Sequence, residues 1–159
     1  MYNYPIFLVF SLVLLVSCAS NRNMNAELLS GKKMEKATLM GQITESFPAT
    51  SNYRITDASL DGNFLYLSFE YQASCSGNDK FEFYGTLSDA SVYPPKRQVK
   101  LIIIPSDDDC KSLEYSTQII NLSELCYAKT PNDVIDLNLQ GWKTKLTYHY
   151  IGTSAPRNK

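Results

Sequence analysis

Four cysteines carry most of the chemistry open to this chain. Cys18 closes the run Leu15-Val16-Ser17-Cys18, where a leucine and then smaller residues lead straight into a thiol. That pattern resembles a lipobox. Small residues let the chain lie extended in a protease groove, and the thiol is the nucleophile that takes a diacylglyceryl group. Ile6 to Val16 supplies the apolar stretch in front of it, at the length of a signal-peptide h-region and too short to remain as a spanning helix. Cleavage before Cys18 and acylation of its sulfur are therefore expected. Each acyl methylene buried in the bilayer contributes about 0.8 kcal/mol, so several chains on one residue give durable anchoring. The leader departs from the usual pattern in one way: Met1 to Pro5 contains no Lys or Arg, leaving the amino terminus as its only cation. The alternative is an ordinary secretory leader in which Cys18 is incidental. Ala19 follows the cysteine rather than Asp, which favours the outer membrane.

Cys75, Cys110 and Cys126 remain, in an exported chain where disulfides persist. Cys75 and Cys110 each end a strand-like run beside a polar turn, which favours pairing them near one rim of the domain. Closing that loop stabilises by about 3–4 kcal/mol on the chain-entropy argument. Cys110 with Cys126 is the shorter-range alternative, and spacing alone leaves both open. In the favoured pairing Cys126, with Leu122 and Leu125 at helical spacing, packs as a small buried hydrophobe.

Other candidates are weaker. Asp107, Asp108 and Asp109, with Asp79 near the same rim, bring carboxylates that can hold a divalent cation. They lack the alternating acidic, Gly and terminal Glu spacing of a calcium loop, so a solvated turn is the plainer reading. His149 is the only histidine; strand alternation points it outward, and no nucleophile adjoins it in sequence. Tyr66, Tyr84, Tyr93, Trp142 and Tyr148 can form an aromatic platform, though rings in sheets more often pack in the core or across strands. Asn121-Leu122-Ser123 fits a glycosylation acceptor by chance. Nothing in the sequence calls for a cofactor. The formal net charge of −1, with both signs dispersed, excludes a nucleic-acid surface built on clustered cations.

The elements that position these residues read as strands. The chain has 159 residues, enough for one domain behind a leader, with eleven Tyr and seven Phe against one Trp. Residues 18–51 are polar at first and read as the lipidated cysteine and a tether, with a short first strand or helix near Ala26 to Met40 as the alternative. Period-two alternation follows over Asn63–Tyr71, Lys80–Leu87, Val99–Ile104, Ile135–Leu139 and Leu146–Tyr150. Turn signals at Asp61-Gly62-Asn63, Ser76 to Asp79, Pro94-Pro95, Ser106 to Asp109, Thr130 to Asn132 and Gln140-Gly141 separate the runs. A helical turn is expected over Leu122 to Ala128, capped by Asn121 with Glu124 three residues on. Short strands with no crossover helices favour an all-β fold. A single antiparallel, immunoglobulin-like β-sandwich is expected over residues 52–151, behind signal peptide 1–17 and before tail 152–159.

Tyr71 to Phe83, Tyr93-Pro94-Pro95, Val99 to Cys110 and Ile120 to Ser123 together resemble NigD-like lipoproteins, small β-sandwich lipoproteins of gut and oral Gram-negative anaerobes. The resemblance covers roughly Tyr53 to Tyr150 and implies a sandwich in which Cys75 pairs with Cys110. The chain departs from the pattern at Ala73-Ser74, where the group carries Gly-Gly. It departs again at Asn78-Asp79 and at Pro105, where the group often carries histidines, so no role of those histidines is carried over.

The expectation is a non-enzymatic, outer-membrane-anchored binding or structural module that contacts an envelope protein or glycan and no nucleic acid. The alternatives are a small metal-dependent or hydrolytic enzyme using the acidic rim, and an immunity or inhibitor protein.

Overall fold

The computed structural model describes residues 37–106 and 110–152. Eight strands run β1 (Leu39–Ile43), β2 (Tyr53–Asp61), β3 (Phe64–Ser74), β4 (Lys80–Gly85), β5 (Lys96–Ile104), β6 (Lys111–Asn121), β7 (Val134–Leu139) and β8 (Leu146–His149). One 3-10 turn, Ser123–Leu125, is the only helical element among the described residues.

Alternation builds β3, β4, β5, β7 and β8 as read, while β2 and β6 are strands the sequence reading did not assign. Leu65, Leu67, Phe69, Tyr71 and Ala73 of β3 are buried on one face, and Val99, Leu101 and Ile103 of β5 on another. β2 and β3 meet at Asp61↔Phe64 across Gly62-Asn63. Gly62 alone takes a positive φ there, +57°, the pattern of a II′ hairpin turn.

The strands form one sheet in the order β2-β3-β6-β1-β4-β5-β7-β8. It is mixed and nearly closed into a barrel, so the expected antiparallel immunoglobulin-like sandwich is corrected. β1 runs parallel to both β6 and β4, and β7 runs parallel to β5. Parallel neighbours need a long connection, for which a helix is the usual choice. Here strands serve instead. The β2–β3 hairpin carries the chain from β1 to β4, and β6 with its 3-10 turn carries it from β5 to β7. Local periodicity cannot reveal that substitution.

β1 also lies inside the stretch 18–51 read as a tether. Only Gly41 of its five residues is buried, so it has almost no amphipathic signal of its own. Two flanking strands define it. Close approach explains the glycine: a Cβ on Gly41 would sit 2.7 Å from Leu125 Cδ1, and one on Gly85 3.0 Å from Leu125 Cδ2. Leu125, fully buried on the 3-10 turn, thus packs where β1 and β4 carry no side chain. The core joins both halves of the sheet through Phe69, Phe83, Leu101, Ile120, Leu137 and Tyr148.

Asn63 holds the closing seam. It is 1% exposed. Its Oδ1 accepts from Tyr148 Oη at 2.9 Å and from the Ile151 amide at 3.2 Å, while its Nδ2 donates to the Gly152 carbonyl.

Candidate functional site

β3 and β6 pair without a break from Phe64↔Asn121 to Ser74↔Lys111. Residues directly opposite share a face, so the inward residues Leu65, Phe69, Tyr71 and Ala73 meet Ile120, Ser116, Glu114 and Ser112 respectively. Towards the rim the inner face of β6 is therefore polar while that of β3 stays apolar. A cavity of about 480 Å³ lies there, lined by Tyr71, Ala73, Cys75, Ser112, Glu114 and Ser116 among others.

The rim is braced by the disulfide Cys75–Cys110, with its Cα atoms 5.4 Å apart, and by a bond of 3.3 Å from the Cys75 amide to the Cys110 carbonyl. This is the favoured pairing from the sequence, and the one implied by the family resemblance. Asp79 joins it. Its carboxylate accepts the Ser74 amide at 2.9 Å and the Ser106 amide at 2.8 Å. Burial opposes its charge, but bonds from Ser74 and Ser106 and the nearby Lys111 cation hold its pKa below the ordinary value. Asp79 therefore ties two chain segments together rather than standing open as a metal ligand. Burial, then the charge and hydrogen bond of Asp79 and the charge of Glu114, push the Tyr71 phenol up. Among the described residues no three His, Cys, Asp or Glu side chains are grouped to hold a metal. Asp107, Asp108, Asp109 and Cys18 lie outside the described residues.

The remaining candidates separate. Cys126 is a free, buried thiol that donates to the Ser123 carbonyl at 3.0 Å, and burial pushes its pKa up. His149 is exposed at the end of β8. Tyr148 is fully buried, Trp142 packs against the core and Tyr93 is 87% exposed on a loop, so the five rings form no common platform. The helical turn expected over Leu122 to Ala128 is shorter, a 3-10 turn over Ser123–Leu125 whose N-cap is Leu122 and carries no side-chain cap. The Asn121 Oδ1 accepts the Ser123 amide at 2.9 Å from one position further out, and Glu124 pairs with Lys129 instead of completing a capping box.

Two features escaped the sequence reading. Arg97 is 5% exposed; its Nη2 reaches the Cys126 carbonyl at 3.5 Å, while Nε and Nη1 have no partner. Extending the β5 alternation back from Val99 by one step places Arg97 on the core face, which was the available signal. The second is β6 itself. Leu113, Tyr115, Thr117 and Ile119 alternate, but the register turns that face outward, leaving Leu113 63% and Tyr115 71% exposed.

No family model matches the sequence, and no curated protein matches it. Solved structures do. A NigD-like immunity protein from Bacteroides caccae ATCC 43185 superposes with a TM-score of 0.56 at 10% identity, over 72% of this chain and 64% of that one. A protein of unknown function, DUF1344, from Bacteroides vulgatus ATCC 8482 gives a TM-score of 0.47 at 10% identity, over 77% of this chain and 61% of that one. The chain spans less than two thirds of the length of these proteins. The similarity is one of fold, and it agrees with the NigD-like resemblance read from the sequence.

Proposed function

We propose that this chain is an exported lipoprotein, held at the outer membrane through Cys18, whose β-domain is a non-enzymatic module that binds an envelope partner. The observation that carries the binding reading is the rim half of β6, where Leu113 and Tyr115 face solvent beside a polar cavity. Apolar side chains grouped on a surface are characteristic of interaction sites. The anchoring reading rests on Ile6 to Val16 leading into Leu15-Val16-Ser17-Cys18.

Intact mass of the protein purified from bacterial membranes tests the anchor. The expected species is cut before Cys18, carries acyl chains, holds one disulfide and exposes one alkylatable thiol on unfolding. Recovery with Cys18 unmodified or absent would remove the membrane from the proposal. A second reading, an immunity protein, is favoured by the likeness in fold to the Bacteroides caccae protein, described as a NigD-like immunity protein. Expression that protects a sensitive strain from a co-resident toxin would favour it.

A further inference from the structure

The edge of β6 is arranged to accept another strand. Alternation along β3 and β6 decides which backbone groups it offers. The Leu122 amide bonds the Asn63 carbonyl at one end of the ladder, and the Cys75 amide bonds the Cys110 carbonyl at the other. Between them odd-numbered residues of β3 and even-numbered residues of β6 exchange the cross-strand bonds. The amides and carbonyls of Leu113, Tyr115 and Thr117 consequently point away from β3. On that side, among the described residues, β1 pairs with β6 at Leu39↔Ile120 and Met40↔Asn121.

Sheet edges are normally blunted by charge, proline or a bulge. β2 has such protection: its register shifts between Ile55 and Asp57, and it carries Arg54, Asp57 and Asp61. The rim half of β6 has an unbroken register, no proline, and outward Leu113 and Tyr115. The Tyr115 hydroxyl lies beside Glu70, yet the ring stays in water. Inward, the same stretch borders the cavity with the Glu114 carboxylate, which accepts from Ser112 Oγ at 3.3 Å.

We propose that the Leu113–Thr117 edge binds an extended polypeptide segment of a partner protein by strand addition, the partner placing an apolar residue against Leu113 and Tyr115 and a Lys or Arg beside Glu114. Main-chain bonds supply the attachment and alternate side chains the selectivity. Negative charge at Glu114, exposed on the inward face of this stretch, selects the basic residue. This inference rests on the binding reading above and names the partner's chemistry.

The test uses the mature chain with its disulfide intact and two synthetic peptides, one alternating Val with Lys and one alternating Val with Glu. The Val–Lys peptide is expected to bind and to slow amide hydrogen exchange at Leu113, Tyr115 and Thr117, leaving the β2 edge unchanged. Tyr115→Pro, which removes one outward donor, is expected to weaken binding about tenfold. Tyr115→Lys is expected to give a similar loss, by setting a charge against the partner's apolar residues, if proline disturbs the strand. Glu114→Lys is expected to reverse the preference between the two peptides. Absence of binding, equal binding of both peptides, or binding that leaves those three amides unaffected would each overturn the site. If an envelope partner cross-links equally to the wild type and to Tyr115→Pro, the edge is refuted while the binding reading stands.

Discussion

At the residue scale the chain holds two kinds of buried charge. Asp136, 2% exposed on β7, is compensated: Lys145 Nζ lies 3.0 Å away and Thr147 Oγ1 donates at 2.9 Å. Burial opposes its charge, but these partners hold its carboxyl below the ordinary value. A depressed carboxylate stabilises the fold above its unfolded pKa and loses that contribution as pH falls through the folded one. Stability should therefore fall on acidification below about pH 4, and Asp136→Asn should flatten that limb in urea titrations across pH. Tyr53 has the opposite sign, its phenol pushed up by burial to about 12. Its contribution is intact below the unfolded value near 10 and is lost as pH rises towards 12. Arg97 is the less compensated case: burial pushes its guanidinium pKa down, and the nearby Asp133 charge only partly opposes this. Replacing a buried cation with apolar bulk is often neutral or stabilising. Thermal unfolding of Arg97→Met should give a melting temperature equal to the wild type or higher. A loss above about 2 kcal/mol would instead mean that the guanidinium is satisfied in the folded protein.

At the element scale the closing seam and the inserted strand carry the architecture. Asn63 reaches three groups on or beyond β8, so Asn63→Ala leaves Tyr148 Oη and two backbone groups without their partner. We expect a loss of about 2–4 kcal/mol, read as a lower urea midpoint at unchanged slope. Tyr148→Phe removes one of those bonds and should cost about 1 kcal/mol. The inserted strand is a different test. β1 supplies the ladder on both of its sides. Deleting residues 37–43 should broaden the urea transition and lower its slope, as two half-sheets lose their common member. A sharp, wild-type transition would show that β1 is dispensable.

At the scale of the whole molecule, neighbours in the sheet are often distant in the chain. β3 pairs with β6, β1 with both β4 and β6, and β5 with β7. Loop closure must precede such contacts, so folding should be slow for this size, in milliseconds to seconds. Stopped-flow refolding from urea with the disulfide intact would check it; relaxation in microseconds would contradict this topology. The disulfide shortens one of these searches by joining the far ends of β3 and β6, at a sequence separation of 35.

The sequence by itself determined the local features. Alternation marked β3, β4, β5, β7 and β8, and Gly62 marked its turn, because each depends on residues within a few positions. It also favoured Cys75 with Cys110, since both thiols end strand-like runs beside turns. Only the tertiary structure decided the rest. β1 exists because β6 and β4 flank it, and its five residues carry no pattern that shows this. Parallel pairing depends on which distant strands meet. Arg97 and the rim of β6 are instructive because alternation was present in both. Alternation divides a strand into two faces, but its neighbours decide which face meets the core, and here they buried a guanidinium and left Leu113 and Tyr115 in water.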